Sequence, residues 1–529
     1  MRNIIYITYA LLLIFQSCNP LPFGTNAKKI DTDEDNKEKI EDNSTPDNLP
    51  SSSVRGAASK VSNLKEEQST TPSSSVVEDF FHNQVIDESD ALSVSLKEKI
   101  HELANTKEMK DFLEIVRRSL HRKPELMYEL PFTSNTIKSV LDEYGIPYTS
   151  GWAKNTHQEA FPGPGGYGIV AHIGSGKEDE PCIILRADMD ALPIKEATEG
   201  IDNFKSSQSG KMHACGHDGH VTMLLGAAAL LKKVEKEIKG TIRLVFQPAE
   251  EGGAGMKRMI EEGIVDKLKP KAQHAFGMHV WPTLPSGTVA SRPGALMAAA
   301  EMFEIKIYGK GGHAAMPHLT IDPIITASSL ITSLQTIVSR NISPLDSGVI
   351  SVTQISAGDA FNVIPASALI RGTIRALSTD MLMSLRDKLE HMLESTTAMY
   401  NCNSTITFSP DFYPPTINDK ELFEWSKNVG ALVSNEGVLR DIEPTMGGED
   451  FSFLAQIIPS TFFFVGQGSG GVDDDPKYHI PRTDYGLHHP SFALDEHVLP
   501  IGVELHVNLA LRSLKKLSQE NLEMSEVEL

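Results

Sequence analysis

Apolar residues recur along this chain with two different periods. Residues 108–120 place Met109, Phe112, Leu113, Val116 and Leu120 at helical spacing, and a loop follows at Pro124. Beyond it, short β-branched runs alternate with helical stripes. Residues 168–173 and 182–186 read as buried strands. Val221, Leu224, Leu225, Ala228 and Leu231 form one apolar helical stripe, and 241–246 is another strand. Such alternation predicts an α/β layer architecture. Residues 302–409 break the rhythm: strand 302–308, helix 322–340, strands 348–356 and 368–376, helix 380–399, strand 404–408. The order β-α-β-β-α-β is that of a ferredoxin-like unit. Because α/β material resumes near Ile417 and runs to about Leu517, this unit reads as an insertion, and no internal repeat is visible. The division expected is 96–298 and 411–517 for the two parts of an α/β domain, 299–410 for the insert, and 518–529 for a C-terminal tail.

Ahead of the folded region the pattern is lost. From Asn19 to about Ser93 the chain is rich in Ser, Asp, Glu, Lys, Asn and Pro, and Phe23 is its sole aromatic residue before Phe80. Too little apolar surface exists there to offset the entropy of ordering, so residues 18–95 are expected to be a disordered acidic tether. Upstream, Arg2 precedes an apolar run from Ile4 to Phe15 that is too short to span a bilayer. Residues 1–17 read as an export signal. The run ends at Ser17-Cys18, which resembles a bacterial lipoprotein cleavage site, so Cys18 is the candidate for lipidation and membrane attachment. The alternatives are an ordinary secretory signal cut nearby, or a plain membrane anchor. The expected location is exported, either as a membrane-anchored lipoprotein or in the periplasmic or secreted space.

Composition narrows the partners. The chain has 529 residues, enough for two or three units. Its net charge of -21 argues against nucleic acid or an anionic membrane surface as partner. Part of that charge is local, since residues 19–90 carry seven Lys/Arg against fifteen Asp/Glu. The four cysteines, Cys18, Cys182, Cys215 and Cys402, are widely spaced and imply no disulfide framework.

The densest chemical signal is Met212-His213-Ala214-Cys215-Gly216-His217-Asp218-Gly219-His220, just ahead of the apolar helix. Cys thiolate and neutral imidazole suit Zn, Mn or Co, and a cysteine among so many donors loses its proton when a metal binds. The plain alternative is a His-rich surface loop. Next comes Gln247-Pro248-Ala249-Glu250-Glu251-Gly252-Gly253, directly after strand 241–246, at the strand end where ligands gather in open α/β sheets. Adjacent buried carboxylates need a cation or a shared proton. One glutamate could bind metal while its neighbour serves as general base. An exposed Glu-Glu pair would merely be solvated. His279 is the polar exception in the strand around Phe276-Gly277-Met278-His279-Val280-Trp281, and Leu487-His488-His489-Pro490 follows a Gly-bearing loop. Each is weak alone. Together they supply donors enough for two ions.

These residues resemble a known family. Arg117-Arg118 with His121, Pro124-Glu125-Leu126 and Glu129 looks like its opening motif. Residues 185–193, 212–220, 247–251 and 277–279 follow in order. Gly311-Gly312-His313-Ala314-Ala315, Asn362-Val363-Ile364-Pro365 and 446–451 complete the series. All resemble the amidohydrolase branch (subfamily D) of the M20 metallopeptidases. That branch holds hippurate hydrolases, N-acyl-amino-acid amidohydrolases and plant hydrolases of indoleacetic acid–amino acid conjugates. The resemblance covers roughly residues 108–515 and implies a zinc-peptidase-like catalytic domain with an inserted ferredoxin-like dimerisation or lid domain. It implies two divalent ions, Mn or Zn, held by Cys215, His217, Glu251, His279 and His488, with Cys215 as the bridge and Glu250 as general base. His488 rather than His489 matches the family's ligand position. The resemblance further implies a homodimer through residues 299–410, with His313 reaching the facing subunit's site to hold the oxyanion. Asn362 and Arg375 are substrate-contact candidates. The implied reaction is hydrolysis of the amide bond of an N-acyl amino acid or similar small conjugate. A dipeptidase or carboxypeptidase of the same type would share the site. A non-catalytic ligand-binding surface lipoprotein would have no use for all five ligands together with Glu250.

Overall fold

A computed structural model describes residues 94–468 and 482–527. The signal, Cys18 and almost all of the tether lie outside the described residues. Three helices come first: α1 (Val94–Ala104), α2 (Lys107–Arg122) and α3 (Pro131–Glu143). The Thr106 side chain caps α2 by accepting from Met109 N at 3.2 Å, and the apolar stripe of that helix, including Phe112, Leu113 and Val116, is buried. Proline at the first position of α3 starts that helix where a missing N–H costs nothing.

Strands β1 (Tyr148–Lys154), β2 (Gly165–Gly174) and β3 (Cys182–Asp188) follow. After them come α4 (His217–Lys233), β4 (Thr241–Gln247), α5 (Gly255–Glu262), β5 (Ala272–Pro285), β6 (Val289–Ser291) and β7 (Gly294–Met297). The inserted unit holds β8 (Ala299–Tyr308), β9 (Gly312–His313), α6 (Pro323–Arg340), β10 (Gly348–Ser356), β11 (Val363–Ile364), β12 (Ser367–Ala376), α7 (Thr379–Met399) and β13 (Asn403–Phe408). The chain then returns through β14 (Thr416–Asn418), α8 (Lys420–Val433), β15 (Leu439–Asp441), α9 (Ser452–Ala455), β16 (Ser460–Gly468) and α10 (Leu499–Val527).

The main sheet has the order β1-β2-β4-β3-β5-β16-β6-β15. Its centre, β4-β3-β5-β16, is parallel. Those strands are covered on both faces, which is why Ile183-Ile184-Leu185 and Phe462-Phe463-Phe464-Val465 are unbroken apolar runs and fully buried. Helix α4 is buried on every side from His217 to Leu231. It carries polar groups almost only in its first turn, so its chemistry is concentrated at one end.

The insert folds a four-stranded antiparallel sheet, β10-β12-β8-β13, under α6 and α7. This is the ferredoxin-like order. Strand β8 alternates buried Phe303, Ile305 and Ile307 with outward Met302, Glu304 and Lys306, as a sheet with one covered face requires. Leu330, Leu334, Leu385 and Leu389 from the two helices close that core. The first strand starts three residues earlier than its hydrophobic run suggests, because Ala299 and Ala300 pair with Ala376 and Arg375. The C-terminal tail expected from residue 518 is instead a continuation of α10 to Val527, a stretch of good helix formers in which Lys516 pairs with Glu520 one turn on. Among the described residues no helix is long and apolar enough to cross a membrane.

Candidate metal centre

The carboxyl ends of β3, β4 and β5 open onto one cleft, and α4 aims its N-terminus into it. Beyond β3 lies Asp190, beyond β4 lie Glu250 and Glu251, and α4 begins at His217 two residues after Cys215. His279 lies inside β5, not at its end. The last β5 residue paired with β3 is Phe276, so His279 lies beyond the paired stretch, on a part of β5 bonded only to β16. Gly216, between the two α4-end donors, has φ +90°, and a Cβ there would sit 2.5 Å from Val280 Cγ2. Only glycine turns the chain that tightly against β5.

This topology brings together residues up to 273 positions apart. Cys215 Sγ is 3.3 Å from His279 Nε2, and His488 Nε2 is 3.4 Å from Glu251 Oε1. His217 Nε2 lies 3.9 Å from Glu251 Oε1 and 4.0 Å from Glu250 Oε2. The donor atoms of Cys215, His217 and His279 all fall within 4.8 Å of one another, and so do those of Cys215, Glu251 and His488. Cys215 belongs to both groups. Both ring nitrogens of His217 are buried without a hydrogen-bond partner among the described residues, an arrangement that is costly unless something else satisfies them. Thiol, imidazole and carboxylate are together the donor set of a Zn- or Mn-type ion. The residues fit a pair of divalent cations.

Protonation points the same way. His279 Nδ1 donates to Val280 O at 2.7 Å, which turns the Nε2 lone pair toward Cys215. Burial drives the pKa of His279 well below the ordinary histidine value and lowers that of His217, so both are neutral donors. His220 is different: its Nε2 accepts from Val280 N at 3.0 Å, so Nδ1 carries the proton and donates to Asp188 at 2.7 Å. Burial and the nearby Glu251 and Glu250 push the Cys215 thiol well above its usual range, so its thiolate form requires a cation beside it. Burial, then Glu449 and Glu251, likewise raise Glu250 well above an ordinary carboxylate. Glu251 is held lower: burial works against its charge, but the His488 hydrogen bond and His217 outweigh it.

A cavity of about 380 Å³ opens over the cluster, with Trp281, Met297, Met302 and Leu487 among its apolar walls and Arg375 among its polar ones. Arg375 Nη1 donates to Met446 O at 2.8 Å. Of the two adjacent histidines, His488 turns inward from a left-handed backbone position (φ +64°), while His489 stacks on Tyr485. His313 and Asn362 do not line this cavity. They stand together on the insert, where Val363 pairs with His313 and Asn362 O accepts from Ala314 N, and both are exposed.

Residues 184–512 match the peptidase family M20/M25/M40. The chain belongs to the M20 family. It is 42% identical to the IAA-amino acid hydrolase ILR1-like 4 of Arabidopsis thaliana over 80% of this chain and 90% of that protein. With the N-acetylcysteine deacetylase of Bacillus subtilis it shares 37% identity over 75% and 95% of the two chains. Among solved structures, the Bacillus subtilis YXEP protein, described as a dinuclear metal-binding peptidase from the M20 family, superposes with a TM-score of 0.60. It has 32% identity and covers 77% of this chain and 98% of that one. This M20 protein is therefore a metal-dependent hydrolase of amide bonds.

Around the M20 cluster the structure reveals supports whose roles the sequence reading left unassigned. Arg186, fully buried in β3, donates to Asp188 and Asp450 at 2.8 Å each and to Gln247 at 2.8 Å, and lies 2.9 Å from Glu449. A charged residue in an otherwise apolar strand was the available signal. Burial lifts Asp450 to about 7 even against the pull of Arg186. Asp190 accepts from Glu250 N at 2.8 Å and Glu251 N at 3.2 Å, fixing both glutamates by their backbone. On the other side of α4, Asp218 accepts from His121 at 2.7 Å and lies 3.1 Å from Arg117, while His121 reaches Glu196 at 2.9 Å. Burial, and Arg117 with it, oppose a charge on His121. The hydrogen bonds to Asp218 and Glu196 prevail and hold its pKa above the ordinary value.

Replacing Arg186 by Met strands three buried carboxylates, and the expected loss is about 3–5 kcal/mol of stability in urea denaturation; an unchanged midpoint would remove its role as the hub. For His121 the folded pKa lies above the unfolded value of about 6.5. Its stabilisation is therefore complete below that value and disappears as pH rises through the folded one. The stability advantage of the native protein over His121→Asn is expected to be complete below about pH 6.5 and to shrink as pH rises above it. An advantage that grew with pH would contradict the assignment.

Proposed function

We propose that the protein hydrolyses the amide bond of N-acyl amino acids or closely related small conjugates. Two divalent ions, Mn or Zn, would be held by Cys215, His217, Glu251, His279 and His488. The observation that carries this reading is the pair Glu250 and Glu251: both come within reach of His217, but only Glu251 also gathers with Cys215 and His488, which leaves the Glu250 carboxylate for the water. When bound, the ions polarise the scissile carbonyl and acidify the attacking water. Glu250 takes a proton from that water and returns it to the leaving nitrogen, a role suited to a carboxyl whose pKa is raised. Arg375 in the cavity wall suits the carboxylate of the amino-acid half, and the apolar walls suit an acyl group.

The oxyanion partner comes from a second copy of the chain. His313 and Asn362 are exposed on the insert, beside Phe361 and the half-exposed Val363, an apolar group of the kind that subunit interfaces cover. We infer a homodimer in which these residues complete the facing site. The similarity to a plant conjugate hydrolase and a bacterial deacetylase supports the substrate class.

The direct test is product release from N-acetyl, N-benzoyl and indoleacetyl amino acids by protein loaded with Mn or Zn, beside unblocked dipeptides. Cleavage of dipeptides alone would establish a dipeptidase instead. Glu250→Gln is expected to keep its metal by elemental analysis and to lose about two to four powers of ten in turnover. Mixing Glu250→Gln with His313→Ala provides the dimer test. Each variant alone is expected to be weak, whereas mixed dimers contain one site with both native residues and regain activity. Native activity of His313→Ala would place His313 outside the reaction, and no recovery on mixing would remove its role in the facing site.

A further inference from the structure

The insert is joined to the catalytic core by two crossings, one into β8 and one out of β13, and they are zipped together. Ala300 N donates to Tyr413 O and Tyr413 N to Ala300 O, both at 2.9 Å. The ring of Tyr413 continues into the core, packs edge-on against Phe453 at 5.7 Å, and ends at the loop that carries Glu250. Its hydroxyl donates to Glu250 O at 2.7 Å and accepts from Gly252 N at 3.1 Å and Ala254 N at 2.9 Å. One donor and two lone pairs are all a phenol has, and all are spent on this one loop. Burial keeps the phenol pKa well above its ordinary value, so the donor is always present.

The loop needs such a clamp. Ala249 and Ala254 both have positive φ, +60° and +54°, a conformation alanine adopts only under constraint from its surroundings. Asp190 grips the loop by the amide groups of Glu250 and Glu251, and Tyr413 grips it by the Glu250 carbonyl and the Gly252 and Ala254 amides. Two residues before Tyr413, Asp411 pairs with Lys257 and Arg258 on α5, the helix into which the loop runs.

We propose that Tyr413 is the positioning residue for Glu250, through which the segment returning from the insert sets the direction of the catalytic carboxylate. This rests on the reading of Glu250 as general base. Tyr413→Phe keeps the ring contact and the backbone pairing and deletes only the shared oxygen. The expected result is a kcat lowered about 10–100-fold, since displacement of a reacting group by about 1 Å is worth up to that much. KM should stay within about twofold and the metal content unchanged. A kcat within twofold of native, a change confined to KM, or a loss explained by missing metal would each overturn the proposal. Amide hydrogen exchange supplies a readout independent of turnover. In the native protein the Gly252 and Ala254 amides are expected to be protected, and in Tyr413→Phe to exchange faster. Unprotected native amides refute the clamp even if the variant does not fold. Full activity of Glu250→Gln would instead remove the base assignment, and the exchange measurement would still decide whether Tyr413 holds the loop.

Discussion

Buried carboxyl groups crowded around a single guanidinium, each needing a proton or a cation, are the constraint on which this structure turns. Asp188, Asp190, Glu250, Glu449 and Asp450 are all buried within one region of the core, with the Cys215 thiol beside them. Arg186 neutralises the Asp188, Glu449 and Asp450 side of that group. Desolvated charge of this amount is expensive in any protein interior. What remains, on the side of Cys215, Glu250 and Glu251, is a place prepared for cations. The metal centre is thus less an addition to the fold than the missing half of its electrostatics.

The sheet makes that concentration feasible. Parallel strands deliver their carboxyl ends to the same edge, so each of β3, β4 and β5 contributes a polar group without disturbing the apolar runs behind it. Helix α4 adds the positive end of its dipole beside His217, where negative groups are welcome. Its burial on all sides leaves that end no freedom to drift. The insert adds walls to the cavity and, through Tyr413 and Arg375, reaches back to the loops it covers.

Much of this was legible in the chain. The insert's elements fall within three residues of where alternation and helical spacing put them, because each has one wet and one dry face. The motifs that hold Cys215, His217, Glu250, Glu251, His279 and His488 stand out as polar residues beside or within apolar runs, and the resemblance to the M20 amidohydrolases picked the individual residues out of them. Other features left no such mark. Within its dense motif, the spacing of residues alone does not separate His217 from His220, whose two nitrogens are both engaged. Tyr413 acts across 163 positions through one oxygen, which no periodicity records. His313 and Asn362 stand clear of their own chain's cavity, so the fold of one chain leaves them without a task.

The turn at Gly216 carries a wider implication. Two donors flank a position where any side chain would collide with Val280 and where the backbone is bent into a left-handed kink. The one-residue interval between thiol and imidazole is therefore dictated by steric exclusion. A side chain is excluded here as firmly as the donors on either side are required, and the short string Cys-Gly-His is an imprint of shape as much as of chemistry.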